Sequence, residues 1–544
     1  MTVTAAQAMV KCLEAEAVKV VFGLPGAAIC PFYDALSHSD IRHILVRQEQ
    51  NAGHAASGYA RMTGRPAVCI ATSGPGALNL ITAVATAYMD SVPLVVITGQ
   101  VSSELLGRDV FQEADITGSC EPFVKHSYLV KNASDLPRIF KEAFHIAGTG
   151  RQGPVLIDVP MDVQQAEISF SYPERAEIRS YKPSVQGHPG QIKRVLAALR
   201  ASKRPLICAG GGVFSSGAQE ELLELSRRAS LPIVTTMMGI GAVSPAYPLN
   251  LGMIGMHGTR EANRAMNAAD LLILIGARVG DRAIMSPMGL AQNTTIIHID
   301  VDPAEIGKNM ETDIPLVGDA KHILAQLLEK LDGLRFDDWT AGLRGNAEAH
   351  AVGGVGCVRP QNVIHVLCEQ MERDAVLVAD VGQNQIWAAR GYRMESGRFL
   401  TSGGMGTMGY SIPAAYGAKL ACPNRQVVAV CGDGAFQMNS MELATIRAND
   451  IPIKIIIFNN ERLGLVRELQ THQYAGNETA VSLNGNPDFV RLAEAYGIPA
   501  GRISAEADIL PAVDRLLACE GPCLLECVID PMEPTLPTDQ EANK

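Results

Sequence analysis

The sequence has no Cys-x-x-Cys pair among its twelve cysteines, no surplus of positive charge and no unbroken apolar run of membrane length. Each absence excludes something. Scattered cysteines with no metal-ligand spacing argue against a zinc ribbon or a disulfide framework, and point to a reducing, cytoplasmic setting. Lys plus Arg number 46 against 57 Asp plus Glu, a net charge of −11. That balance argues against nucleic acid or an anionic membrane surface as a general partner. The longest uncharged stretch, Pro66 to Met89, is interrupted by Ser73-Gly74-Pro75-Gly76. A spanning helix needs ~20 consecutive apolar residues, so this reads as strand, loop and helix. Met1 to Val10 has no basic segment before an apolar core, so no secretory signal is expected. Cys519, Cys523 and Cys527 are spaced by four, but two lie in the strand-like PCLLECVID with no histidine nearby, and they read as buried small hydrophobes.

What is present fits a large globular enzyme. A chain of 544 residues, 47% hydrophobic and 19% charged, is too long for one core and must divide into domains. Short β-branched runs alternate with helix-length segments throughout, the pattern of α/β domains built on doubly wound parallel sheets. KVVFGLP, RHILVRQ, PAVCIATS, PLVVITGQ and GPVLIDVP form a first set, with helices from Asn51 to Thr63 and from Ala77 to Asp90 between them. PLICAGGG, PIVTTMM, DLLILIGAR and TIIHIDVD form a second, and AVLVADVG, QVVAVCGDG, PIKIIIFNN and PCLLECVID a third. The turn-rich stretches Ala166 to Gly190 and Gly333 to Gly356 read as linkers. The expected domains are therefore 1–165, 185–335 and 357–544, with chemistry in the loops leaving the carboxyl ends of the strands.

The strongest local signal is Gly432-Asp433-Gly434 after QVVAVC, with Asn459-Asn460 closing PIKIIIF. Asp433 and Asn460 are 27 positions apart, room for a helix and a return strand that brings both ends to one sheet edge. A carboxylate and an amide oxygen are hard ligands suited to Mg²⁺ holding a phosphate, and flanking glycines let a diphosphate approach the backbone. Either element alone is an ordinary turn or helix cap; the pair in this topology favours a metal–diphosphate site. Gly404 to Gly409 matches GxGxxG, yet Pro413 follows early and no acidic strand end stands at the dinucleotide distance. It reads instead as a loop presenting its backbone and Met408 to a ring. Glu49 closes RHILVRQE and opens a helix, where a carboxylate either caps the helix or handles a proton beside the tight loop Ala71 to Gly76.

Glu49 before a helix, a glycine-rich middle and GDG…NN near the end occur in one order. With RQEQNAGHAASGYAR, ATSGPGALN, GMIGMHG, GARVGDR, HIDVDPAEIGKN, SGGMGTMGYSIPAA and NNERLGLV, the chain resembles the thiamine-diphosphate-dependent enzymes, and most of all the acetolactate (acetohydroxyacid) synthase large subunits. The resemblance runs from about Val3 to Leu536. It implies a pyrimidine-binding, a central and a diphosphate-binding domain, with active sites shared between subunits of a homodimer or homotetramer, and a small regulatory subunit as a further partner. It implies thiamine diphosphate, Mg²⁺ and FAD as cofactors. Glu49 would hydrogen-bond the aminopyrimidine. Gly26, Gln383, Asn384, Gly406, Met408, Gly432, Asp433 and Gly434 would surround thiamine diphosphate. Asp433, Asn460 and the Arg462 carbonyl would bind the metal. Gly210, Gly211, Gly212, Thr236, Met237, Met238, Met256, His257, Gly276, Arg278, Asp300 and Asp319 match the FAD positions. Arg282 would fork onto a substrate carboxylate, with Phe111 and Gln112 lining the substrate side.

The implied reaction decarboxylates pyruvate and transfers its two-carbon unit to a second 2-keto acid, giving 2-acetolactate. Three departures bear on the acceptor. Leu469 stands where the family has a tryptophan, Met161 where it has a lysine, and Ala27 where it has a glycine. Losing the indole should weaken preference for the bulkier 2-ketobutyrate. The alternatives are a related carboligase, an FAD-using pyruvate oxidase, a simple decarboxylase, or a silent paralogue serving as a regulatory subunit. Glyoxylate carboligase has a valine at the position of Glu49, decarboxylases often carry a His-His pair that is absent here, and intact Glu49, Asp433 and Asn460 speak against a silent paralogue.

Overall fold

The computed structural model describes residues 2–278, 280–284, 290, 292, 294–343 and 357–535. Three six-stranded sheets, parallel throughout, carry the chain. In spatial order the first runs Arg42–Leu45, Val20–Gly23, Ala67–Ala71, Leu94–Gln100, Pro154–Pro160, His126–Leu129. The second runs Asn250–Met253, Ile233–Thr235, Pro205–Ala209, Leu271–Ile275, Thr295–Asp300, Ile314–Val317. The third runs Arg398–Leu400, Val376–Ala379, Val427–Gly432, Lys454–Asn459, Cys523–Val528, Ala500–Ile503. Interior strands such as Leu94–Gln100 and Leu271–Ile275 are buried along their whole length. Helices covering both faces leave no solvent side, so these strands are continuous apolar runs without alternation.

The structure departs from the sequence expectation in three places. Five strands of the three large sheets were not anticipated, and all five lie at sheet edges: His126–Leu129, Asn250–Met253, Ile314–Val317, Arg398–Leu400 and Ala500–Ile503. The helix expected from Ala77 to Asp90 is two, Pro75–Asn79 and Ile81–Met89. The stretches read as linkers are partly built into the domains. Glu167–Ser169 pairs antiparallel with Thr2–Thr4. Asp337–Leu343 is helical, and Trp339 there donates its indole N–H to the Pro205 carbonyl at 3.0 Å. Residues 344–356 of that stretch lie outside the described residues.

One helix pair positions the rest. Glu49–Thr63 begins with an acidic residue, which suits the positive end of the helix dipole, and ends on Gly64 in the left-handed region (φ 68). It is rich in alanine and glycine and mostly buried. It packs on Ser411–Ala421 of the third domain so closely that a Cβ on Gly58 would strike the Ala414 backbone, and one on Gly417 the Ala55 backbone. One core cluster consequently runs from the first sheet through both helices into the third. Buried Glu442 reinforces the junction: its carboxylate accepts from the Arg47 N–H at 2.8 Å, Asn51 Nδ2 at 3.0 Å and the Tyr416 hydroxyl at 3.1 Å.

Candidate active site

The first-domain group gathers at the carboxyl ends of adjacent strands. Glu49 is 7% exposed, and its Oε2 accepts from Asn79 Nδ2 at 3.0 Å. A Cβ on Gly76 would lie 3.2 Å from Glu49 Oε1 and 2.8 Å from Thr72 Cγ2. One on Gly26 would fall 2.5 Å from the same Thr72 methyl. Gly26, Thr72 and Gly76 thus form a tight floor beside the Glu49 carboxylate. Gln112 takes a left-handed backbone (φ 58) and rests against Gly74, whose added Cβ would meet the Gln112 carbonyl oxygen at 2.7 Å. That conformation is uncommon for a side-chain-bearing residue. Neighbouring Phe111 is 85% exposed, so it lines this side only as an outward-facing ring.

The third-domain group lies at the ends of three adjacent strands. Gln383 and Asn384 follow Val376–Ala379, Asp433 follows Val427–Gly432, and Asn460 follows Lys454–Asn459. Asn460 Nδ2 donates to Gln383 Oε1 at 3.1 Å, and Asn460 Oδ1 accepts from the Arg462 N–H at 3.1 Å. Asn384 Oδ1 would lie 3.4 Å from a Cβ on Gly432, while a Cβ on Gly434 would come within 3.6 Å of Met408 Cε. Burial pushes the Asp433 carboxyl up to about 6, against the hydrogen bond from Asn486 Nδ2 at 2.7 Å. A buried carboxylate at one strand end and an amide oxygen at the next are hard oxygen donors of the kind that fits Mg²⁺. Arg282 is mostly exposed, with its guanidinium 3.6 Å from Asp281, while its carbonyl accepts from the Met256 N–H at 3.2 Å.

The positions matched to FAD spread along one edge of the second sheet. Gly210, Gly211 and Gly212 follow Pro205–Ala209, and Thr236, Met237 and Met238 follow Ile233–Thr235. Met256 and His257 follow Asn250–Met253, and Gly276 and Arg278 follow Leu271–Ile275. Asp300 ends its own strand, and Asp319 follows Ile314–Val317. Every strand of the sheet contributes at its carboxyl end, where open parallel sheets bind nucleotides. Gly210, Gly212 and Gly276 are also required by packing, since a Cβ on Gly212 would lie 2.6 Å from Gly276 Cα. Asp319 caps the helix Ala320–Leu328, accepting from the His322 N–H at 3.2 Å. Burial raises the Asp300 carboxyl to about 6.

Four residues that the sequence did not single out join these groups. Asn79 and Asn486 steady the two key carboxylates. Glu468 accepts from Gln383 Nε2 at 3.0 Å and from the Thr535 N–H at 2.5 Å, tying the start of the helix Gln383–Gly391 to Thr535. Asp380, 1% exposed, accepts from the N–H groups of Val381, Gly409 and Ser411 at 2.8–2.9 Å. Burial raises the Asp380 carboxyl, and those backbone bonds oppose the rise. Among these, only Asp380 had a signal in sequence, a carboxylate closing an apolar strand.

Comparison with known proteins gives this arrangement its class. Family models of the thiamine pyrophosphate enzymes match the N-terminal TPP binding domain at residues 3–119, the central domain at 192–327 and the C-terminal TPP binding domain at 380–527. A "Probable acetolactate synthase large subunit" of Methanococcus aeolicus is 45% identical, with 97% of this chain and 92% of that protein aligned. An "Acetolactate synthase" of Mycobacterium bovis is 45% identical, covering 97% and 88%. The "Acetolactate synthase isozyme 3 large subunit" of Escherichia coli (strain K12) is 43% identical, covering 90% and 88%. The chain belongs to the thiamine pyrophosphate enzymes, within the family of acetolactate synthase large subunits.

Proposed function

We propose that the chain is the catalytic subunit of an acetolactate synthase, condensing two molecules of pyruvate to 2-acetolactate with release of carbon dioxide. The observation that carries this reading is the meeting of Gln383, Asp433 and Asn460 at adjacent strand ends, in a chain similar to acetolactate synthases over nearly its whole length. Thiamine diphosphate, when bound, supplies a carbon nucleophile and an electron sink for decarboxylation. The residues do the rest. Asp433, Asn460 and the Arg462 carbonyl would hold Mg²⁺, and Gln383 and Asn384 would stand on the diphosphate side. Glu49 shares a proton with the aminopyrimidine ring, its orientation set by Asn79. Arg282 receives the carboxylate of a 2-keto acid as a two-pronged donor. The carboxyl ends of the second sheet's strands would hold FAD, whose redox chemistry the net reaction does not need.

Two identical chains complete the site. Among the described residues no hydrogen bond or ion pair joins Glu49 to Asp433, Asn460 or Gln383 of the same chain. Leu45, four residues before Glu49, Leu78, next to Asn79, and Met441, next to Glu442, are exposed, which suits burial by a second copy. A small regulatory subunit fits the "large subunit" names of the relatives. Leu469 is 44% exposed on the helix Gly464–Gln473, where an aliphatic side chain leaves pyruvate and 2-ketobutyrate weakly distinguished. The test is NMR analysis of products from purified protein with thiamine diphosphate, Mg²⁺, FAD and pyruvate alone. Acetolactate is expected; acetaldehyde or acetate would move the chain to the decarboxylases or oxidases.

A further inference from the structure

A buried ion pair outside the groups above points at the loop that carries Met408. Arg61, near the end of the helix Glu49–Thr63, and Asp90, which closes Ile81–Met89, meet at 2.8 Å with side chains 9% and 0% exposed. Taking both charges out of water is unfavourable unless further hydrogen bonds satisfy them. Here those bonds all go to one segment of the third domain. Asp90 accepts from the N–H of Gly404 at 2.7 Å and of Gly403 at 3.2 Å, and Arg61 donates to the Thr401 carbonyl at 2.8 Å. The hydroxyls of Thr86 and Thr407 lie 2.7 Å apart, adding a second strut from the same first-domain helix.

The segment needs such anchors. Gly403, Gly404 and Gly406 contribute no side chains, and Met405 is exposed, so little packing fixes the backbone between Ser402 and Thr407. Its far end is held by Asp380 through Gly409 and Ser411. Two carboxylates from different domains therefore bracket Met408. The central domain touches the same spot: a Cβ on Gly404 would lie 3.1 Å from an Arg278 guanidinium nitrogen, and the Met238 thioether crowds Gly403.

We propose that Asp90 is a positioning residue for carboligation, setting from the first domain the backbone of Gly403 to Met408 beside which thiamine diphosphate would bind. The proposal rests on the functional reading above. It acts through the loop and not through contact with substrate, so its signature is a misplaced cofactor in a folded protein. In Asp90→Asn one charged acceptor is lost and Arg61 is left without its counter-charge. Hydrogen-exchange mass spectrometry of the full chain, without cofactor, is expected to show faster exchange in the segment 401–409 with the rest of Ser411–Ala421 unchanged. With Mg²⁺ and thiamine diphosphate added, the near-ultraviolet dichroism of the bound aminopyrimidine should change. Exchange of the C2 proton should then slow by about tenfold to a hundredfold, the usual effect of misplacing a reacting group by an ångström. Thr86→Val, which removes the second strut and a bond to the Thr82 carbonyl within its own helix, should shift the same readouts in the same direction by less, and covers the case in which Asp90→Asn does not fold. Unchanged loop exchange and dichroism in both variants, with only a lower melting temperature, would overturn the proposal and leave the pair a plain interdomain tie. Wild-type protein that takes up no thiamine diphosphate would overturn the functional reading, and the proposal with it.

Discussion

Glu49 sits against the tight floor of Gly26, Thr72 and Gly76, with Asn79 donating to its carboxylate, and its role is testable there. Glu49→Gln keeps the shape and the Asn79 contact but cannot share a proton. It should slow C2-proton exchange of bound thiamine diphosphate by about 10²–10⁴-fold while Mg²⁺-dependent cofactor binding, followed by dichroism, stays nearly unchanged. Wild-type exchange in that variant would remove Glu49 from the chemistry. Arg282 poses a different question, because in one chain its nearest anion is Asp281 and its side chain is largely exposed. Arg282→Ala should raise the apparent KM for pyruvate by about tenfold or more, the worth of a charge-assisted hydrogen bond, with the melting temperature unmoved. An unchanged KM would return Arg282 to the surface. Both residues were singled out in sequence because each lies in a segment of distinctive spelling. Asn79 and Asn486 were not, since a loop asparagine that steadies a carboxylate looks like any turn residue, and only the fold shows which carboxylate it meets.

At the scale of strands and helices, burial decided what could be read. Interior strands such as Ala67–Ala71 and Lys454–Asn459 are buried end to end and stand out as apolar runs. Edge strands are half-solvated, as in His126–Leu129 and Asn250–Met253, and their mixed composition resembles loop. The interface of Glu49–Thr63 with Ser411–Ala421 was equally hidden, because its determinant is the absence of side chains. Gly417→Val should destabilise the chain by about 1–3 kcal/mol or more through overpacking against Ala55, seen as a lower melting temperature with loss of cofactor binding; unaltered melting would mean the helices can separate freely. A neighbouring pair of interior strands supplies a pH prediction. Asp158 accepts from the Thr98 hydroxyl at 2.7 Å and Gln100 Nε2 at 3.0 Å, yet burial lifts its carboxyl to about 7. The folded chain then holds a proton that the unfolded chain, near 3.9, has released. Stability from this residue accordingly falls as pH rises from about 4 to 7, by something on the order of 2–4 kcal/mol. Asp300, raised to about 6, pulls the same way. Denaturant midpoints at pH 5 and pH 8 should lie closer together in Asp158→Asn than in wild type, and an equal gap would contradict the assignment.

For the whole molecule the question is which Glu49 serves which Asp433. Within one chain the two groups sit in domains joined by a rigid helix pair and by Glu442, so they cannot close on each other by a loop movement. Each group instead opens from its own sheet edge beside exposed apolar side chains, Leu45 and Leu78 near Glu49 and Met438 near Asp433. A two-fold arrangement would satisfy both at once, since a symmetric interface brings patch A of each copy onto patch B of the other. Subunit mixing decides between the arrangements. Glu49→Gln and Asp433→Asn are each expected to be nearly inactive as homo-oligomers. If a site takes Glu49 from one subunit and Asp433 from its partner, a mixed dimer contains one site with both defects and one with neither. Unfolding and refolding equal amounts together should then restore roughly a quarter of wild-type acetolactate formation, because half of the dimers are mixed and each has one intact site of two. If both residues of a site come from the same subunit, every site in the mixture carries one defect and no activity returns.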